Sequence, residues 1–402
     1  MADTEVTALV SGAQERTMLW GPYWSDISTA VIVYFDDGED LTFARTTNKG
    51  ASHTLTEVEV GDCKILACWY DKETPGDTGT LVHMVWIDRG GTDAVNYRTI
   101  DVATGVLGTA REIDATITAA ANAEENKVGI TKTVGGNLIA AFSTQTEIGC
   151  SRSVDSGENW TSRADVYETT TEEDVLFLYP ANTTNNQDAV AIFQDRSADT
   201  LSIKMYDDTA NDWTETAIGS YVDVANHVHF DAAVLHSNKH IMLAAHSEKD
   251  SAGDDLLTWD LTVDDIDTPT VTARTNIFTN QAEATFVGVV INQQIDRIYV
   301  AYQKGGTAFG LTDVVFHTSD DDMVTWGGEN GYSETTDDNR GLAGGRTISS
   351  AGGRIQWVFQ NDDLAKLYVN EVNDIEIVSF VPYPNPRYAL TGGIQPQGGG
   401  IS

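Results

Sequence analysis

Ser153-Val154-Asp155-Ser156-Gly157-Glu158-Asn159-Trp160 is the stretch that decides the fold. In such a hairpin the aspartate accepts backbone N–H groups, the glycine takes a positive φ, and the tryptophan caps the small core between adjacent strands. Weaker echoes recur along the chain, at Thr46 (with Asn48, Gly50 and His53), Thr99 (Asp101, Ala103, Val106), Tyr206 (Asp208, Ala210, Trp213), Thr262 (Asp264) and Ser319 (Asp321, Met323, Trp326), and fade near Glu371. Successive anchors lie 53, 54, 53, 56, 57 and 52 residues apart. Near-constant spacing of this kind is the mark of a repeat architecture, and seven units fill the 402 residues.

Between the anchors the text alternates apolar segments, such as Ala30-Val31-Ile32-Val33-Tyr34-Phe35 and Leu81-Val82-His83-Met84-Val85-Trp86, with clusters of Gly, Asp, Asn and Thr. That is strand and turn composition, with few helical signals. Each unit divides into four strands; in the fourth they are Val175 to Pro180, Asp188 to Phe193, Leu201 to Tyr206 and Trp213 to Ile218. Asp36, Asp88, Asp195 and Asp362 form a second echo ahead of their anchors, with Arg89 and Arg196 following two of them. The expected fold is all-β, a seven-bladed β-propeller of four-stranded antiparallel blades over residues 1–381, with an extended Pro/Gly-rich C-terminal arm over 382–402. Its last unit is expected to use Gly353 to Phe359, Leu364 to Val372 and Ile375 to Val381, and Thr4 to Val10 is the candidate strand that closes the ring there.

The pattern Ser/Thr-x-Asp-x-Gly-x-x-Trp resembles the Asp-box of the sialidase-like (BNR) β-propellers, fully at Ser153 and partially elsewhere. The resemblance implies that Ser153, Asp155, Gly157, Trp160, Asp208, Trp213, Ser319, Asp321 and Trp326 are structural and lie away from the ligand face. A sialidase of that family would also carry an Arg-Ile-Pro motif, a Tyr/Glu nucleophile pair and an acid/base Asp. No Arg-Ile-Pro occurs, the nearest text being Arg354-Ile355-Gln356 in the last unit, and no pair of acids stands out as a glycosidase couple. The expectation is therefore a chain that is not an enzyme and has no catalytic residues; a sialidase-like glycoside hydrolase is the alternative.

Sixty-one acidic residues against 24 basic ones give a formal charge of −37. Such a surface repels phosphate, so nucleic acid is not an expected partner. The acidity is spread over nearly all loops and only ten basic residues are Lys. This is the pattern of a protein adapted to salt, where the screening length falls from about 10 Å at 0.1 M to about 3 Å at 1 M. Cys63, Cys68 and Cys150 form no CxxC pair, Met1-Ala2-Asp3-Thr4-Glu5 does not open a secretory leader, and no apolar run is long enough to span a bilayer. The expected setting is a virion assembled in the host cytoplasm, without membrane insertion.

Candidate ligand contacts are Trp20, Tyr23 and Trp24, whose flat rings suit sugar faces, together with Asp88, Arg89, Asp195 and Arg196. Arg45, Arg98 and Arg152, each one residue before its anchor, are expected to serve the repeat by pairing with local acids or stacking on hairpin aromatics. His227, His229 and Asp231 share a strand face and are possible metal ligands, but no second cluster completes a site, so neither metal nor cofactor is expected. Together these features point to a virion surface protein of a tailed virus of a salt-loving archaeon, a capsid turret, decoration or tail attachment module. Expected partners are other virion proteins through the C-terminal arm and a host-surface glycan or S-layer glycoprotein, with the chain present as a homo-oligomer or in many copies.

Overall fold

The computed structural model turns the repeat into seven sheets. It describes residues 3–7, 19–61, 63–88, 93–115, 117, 127–143, 147–167, 173–195, 200–220, 230–247, 254–281, 284–304, 313–333, 339–348, 354–361 and 366–372. The chain divides into Met1–Val372, which carries the sheets, and Asn373–Ser402. The latter lies outside the described residues, and with it the expected strand at Ile375 to Val381 and the arm.

From the axis outward, blade 1 uses Leu19–Trp24, Ala30–Phe35, Leu41–Thr46 and Thr54–Glu59. Blade 2 uses Cys63–Tyr70, Leu81–Asp88, Ala94–Asp101 and Arg111–Asp114. Val128–Lys132, Leu138–Ser143, Ile148–Ser153 and Thr161–Tyr167 form blade 3, and Glu173–Pro180, Ala189–Asp195, Thr200–Asp207 and Asp212–Ser220 form blade 4. Blade 5 uses Phe230–Leu235, His240–Ser247, Asp254–Thr262 and Thr270–Ala273, and blade 6 uses Ala284–Asn292, Arg297–Lys304, Asp313–Ser319 and Asn330–Gly331. Blade 7 takes Asn339–Gly344, Gln356–Asn361 and Lys366–Glu371 from one end of the chain and Thr4–Thr7 from the other. Sequence alone gives this register almost to the residue in blade 4.

Burial explains the composition of each strand position. Second strands are covered on both faces by neighbouring blades, so Ala30–Phe35 and Leu138–Ser143 are buried throughout. The outer strand Thr54–Glu59 faces solvent and is mostly polar.

Blade 7 departs from expectation. Its innermost strand is Asn339–Gly344, which none of the expected segments covers, and Gly353 to Phe359 overlaps the second strand, Gln356–Asn361. The cause is packing: a Cβ on Gly344 would sit 2.5 Å from Val290 Cγ2 and 2.9 Å from Trp357 Cδ1, and one on Gly288 would sit 2.9 Å from the same Trp357 atom. Trp357 fills the space that larger side chains of an inner strand would take, and the small residues that admit it read as loop text.

Strand alternation sorts the connections onto two faces. Hairpins joining first to second and third to fourth strands share one face with the Ser153 hairpin; those joining second to third strands lie on the opposite face. Three hairpins of the first face share one bonding pattern. Ser153 Oγ accepts the Gly157 N–H at 2.8 Å and donates to Asp155 Oδ1 at 2.8 Å, which also accepts the Asn159 N–H at 2.9 Å. Ser319, Asp321, Met323 and Thr325 repeat these bonds at 2.8–3.0 Å. So do Thr46, Asn48, Gly50 and Ser52 at 2.9–3.0 Å. The Tyr206 hairpin is different: Asp207, not Asp208, accepts the turn N–H groups of Thr209 and Ala210. Asp208 instead pairs with Arg152, whose Nη1 lies 2.7 Å from both carboxylate oxygens. In blade 5 the turn acceptor is likewise Asp265 in place of Asp264.

The hairpin tryptophans reach back to the preceding blade. Trp160 lies edge-on to Tyr97 at 5.2 Å, Trp213 Nε1 donates to Ala164 O at 3.0 Å, and Trp326 Nε1 donates to Thr275 O at 2.7 Å. They staple blade to blade, beyond the capping of one hairpin expected of them. Gly157, at φ +91°, is also pressed from that side, since a Cβ there would lie 2.1 Å from Tyr97 Cε1. Gly157→Ala is expected to cost about 2–4 kcal/mol in urea unfolding, combining backbone strain with overpacking. Gly50→Ala, at φ +85° with nothing within 4 Å, is expected to cost about 1 kcal/mol.

Candidate functional site

Among the described residues, aromatic side chains of the inner strands pack across the axis of the ring. Trp20 meets Phe177 edge-on at 5.8 Å, Phe177 meets Phe230 at 5.0 Å, Trp69 meets Tyr179 at 6.0 Å and Tyr23 meets Tyr70 at 5.5 Å. Inside this aromatic shell lies Arg346, 2% exposed, its guanidinium 5.0 Å from the Trp20 ring and 5.1 Å from those of Phe177 and Tyr179. Its Nε donates to Asp231 Oδ1 at 3.1 Å, and Nη2 lies 3.1 Å from the same oxygen. Asp231 Oδ2 accepts the Val289 N–H at 3.0 Å. Burial works against the guanidinium charge, but Tyr179, Asp231 and Glu73 outweigh it and hold the Arg346 pKa above its ordinary value. One ion pair thus ties blade 7 to blade 5, with rings from blades 1 and 4 around it.

The hairpin face seals this axis. Arg346 sits at φ +51°, after which Thr347–Ile348 pairs in parallel with Ile291 and Asn292 of blade 6. Gln293 Nε2 donates to Val234 O at 2.8 Å and to Thr347 Oγ1 at 2.9 Å. From the opposite side comes a single 3-10 turn, Asp71–Glu73, whose Glu73 carbonyl lies 3.4 Å from His236 Nε2 of blade 5. Gly345 allows the strap to pass, because a Cβ there would lie 2.1 Å from Pro22 O.

Beside the turn runs a buried polar network. His83 Nε2 lies 3.0 Å from Asp71 Oδ1, His83 Nδ1 lies 2.8 Å from the Tyr97 hydroxyl, and Lys132 Nζ bridges Asp71 at 2.6 Å and Asp77 at 2.7 Å. Burial would raise the Asp71 pKa; bonds and charges from His83 and Lys132 prevail and hold it down to about 2. A depressed carboxylate stabilises the fold above its usual pKa near 3.8, and that contribution fades as pH falls toward 2. Histidine beside tyrosine is a pair able to move protons, but both side chains are buried under the Ser153 hairpin, out of a substrate's reach.

Trp20, Tyr23 and Trp24 are buried to 2%, 1% and 4% exposure, so their rings pack inside the ring, Trp24 at the seam with blade 7, instead of forming the open platform expected of them. Asp88 ends the second strand of blade 2 on the face opposite the Ser153 hairpin, and Asp195 holds the same place in blade 4. Arg89, Arg196, His227 and His229 lie outside the described residues. Asp231, the third candidate metal ligand, is the partner of Arg346. Among the described residues no group of three or more His, Cys, Asp or Glu is placed to hold a metal ion.

The repeat arginines bridge units, though two use carbonyls where local acids or hairpin aromatics were expected. Arg45 Nε donates to Val102 O at 3.1 Å, Arg98 donates to Gly108 O and Val58 O at 2.8 Å, and only Arg152 meets a carboxylate. Arg346, Asp71, His83, Tyr97 and Lys132 escaped the sequence reading. An arginine within Ala343-Gly344-Gly345-Arg346 was the one available signal, and no periodicity links it to Asp231, 115 residues away.

No protein-family model matches the chain, and no curated protein matches it. Solved structures do. An ulvan lyase of the polysaccharide lyase PL25 family is 8% identical, with a TM-score of 0.56, over 92% of this chain and 94% of its own. The Cps50 (Swd1) β-propeller domain of Myceliophteria thermophila is 9% identical, with a TM-score of 0.54, over 92% and 99%. Hydrazine synthase of Kuenenia stuttgartiensis is 10% identical, with a TM-score of 0.54, over 91% and 98%. At such identities the likeness shows a shared propeller fold. It also corrects the expectation that the chain is not an enzyme. That expectation rested on missing hydrolase motifs, whereas the ring matched over nearly the whole chain is a lyase.

Proposed function

We propose that this chain is a glycan-engaging propeller whose working face is the one opposite the Ser153-type hairpins. The observation that carries this reading is where the described closures of the axis lie: the strap at Arg346–Ile348 and the turn at Asp71–Glu73 both occupy the hairpin face. The described ends of the second strands, with the candidate positions Asp88 and Asp195, lie on the other. The ring-wide likeness to an ulvan lyase supports a polysaccharide as the ligand class. The Asp-box resemblance of the hairpins and the dispersed acidity support a setting on a virion surface in salty solvent, where many copies would multiply weak contacts.

The test is a panel of neutral and uronate-containing polysaccharides, each at low and high salt, followed by retardation in affinity gels and by the ultraviolet absorbance of unsaturated ends. Retardation by at least one polysaccharide is expected. For polyanionic members it should strengthen with salt, because a charge of −37 repels them until it is screened. No retardation and no absorbance change across the panel would remove the proposal.

A further inference from the structure

The hairpin staple changes chemistry at one junction. Trp160, Trp213 and Trp326 occupy the eighth position of their hairpins and reach the preceding blade, and in blade 1 that position holds His53. The blade before blade 1 is blade 7, so His53 stands where the ring closes. It faces a narrow crevice lined by Trp24, Ile32, Thr46, Gly50, Gln356 and Val369, none of them an acid or a base. His53 Nδ1 is buried without a hydrogen-bond partner, as is Trp24 Nε1 beside it.

We propose that His53 is a pH-sensitive staple: neutral, it packs the seam between blades 1 and 7, and protonated, it loosens that seam before the rest of the ring. The imidazolium carries an N–H on Nδ1, a buried atom that meets no acceptor, and a charge in a crevice with no ionisable partner. Burial already lowers the pKa of His53 to about 4, and no neighbouring charge offsets it. Several charged groups on the surrounding elements are committed elsewhere. Asp26 accepts the N–H groups of Ser28 and Thr29, Lys72 donates to Trp24 O and Ser25 O, Asp3 accepts from Asn370 and Lys366 pairs with Glu5. Lys49 shares the hairpin, Arg354 precedes Gln356 by two residues, and Glu371 is the cross-strand partner of Gln356.

The sign is fixed by the depressed pKa. Between the ordinary value of 6.5 and about 4, a loosened seam binds a proton that the closed seam refuses, so closure weakens as pH falls through that window. From pH 8 to pH 5 the opening equilibrium should rise roughly 30-fold.

Amide hydrogen exchange of Thr4–Thr7 and Lys366–Glu371, corrected for intrinsic rates, reads this directly on the whole protein. The rise is expected in the natural chain and should fall below about 3-fold in His53→Phe and in His53→Gln, two variants that cannot titrate. Equal rises in the natural chain and in both variants would overturn the proposal. So would a response kept in His53→Phe but lost in Glu371→Gln, which would place the switch on the carboxylate.

Discussion

Asp231→Ala is expected to destabilise the protein by about 3–5 kcal/mol, because it leaves the Arg346 guanidinium charged inside an aromatic shell with its carboxylate removed. Arg346 is 2% exposed and Asp231 fully buried, so water cannot replace the lost partner. The companion expectation separates charge from packing. A double variant, Asp231→Leu with Arg346→Met, should recover most of the loss, since it removes both desolvation costs and keeps apolar volume on the axis. Urea unfolding of the two variants beside the natural chain measures both. Equal destabilisation by the single and double changes would show that the ion pair itself, rather than relief of an orphaned charge, holds the axis together.

Removing residues 1–7 is the other large change. Thr4, Glu5 and Thr7 pair with Val369, Tyr368 and Leu367 as the outer strand of blade 7, Val6 is buried beneath them, and Lys366 meets Glu5 at 2.7 Å. Burial of one valine contributes about 1.5–3 kcal/mol, and each ladder hydrogen bond about 1 kcal/mol net. A loss of roughly 4 kcal/mol or more is therefore expected, with a bared edge along Lys366–Glu371 that promotes association. Thermal unfolding and light scattering check it. Adding the peptide Met1–Thr7 in trans should restore part of the stability, an outcome that a general folding defect would not give.

The ring was legible from sequence because its information is local and repeated. Each blade carries its own turn residues and apolar runs, and errors of one residue, such as Asp208 for Asp207, leave the spacing intact. Closure was legible for the same reason, since Thr4 to Val10 reads as strand text with no partner nearby. What sequence could not give lies where blades meet. Trp20, Tyr23 and Trp24 have the composition of an exposed sugar platform and also of a packed interior, and only the convergence of seven inner strands decides between them. Arg346 and Asp231, or His83 and Tyr97 with Lys132, are joined by ring geometry across stretches that carry no shared period. The inner strand of blade 7 was missed because its glycines are demanded by a tryptophan in another strand.

The closing strand also orders events during synthesis. Thr4–Thr7 leaves the ribosome before Lys366–Glu371, so the earlier segment waits, unpaired, while more than 350 residues are made. At translation rates of about 5–20 residues per second, that wait is on the order of tens of seconds. The four antiparallel strands of each of blades 1 to 6 meanwhile come from contiguous segments. Until then the ring is an incomplete arc with a loose early ribbon, and its closure is capture of that ribbon by the later-made strand of blade 7.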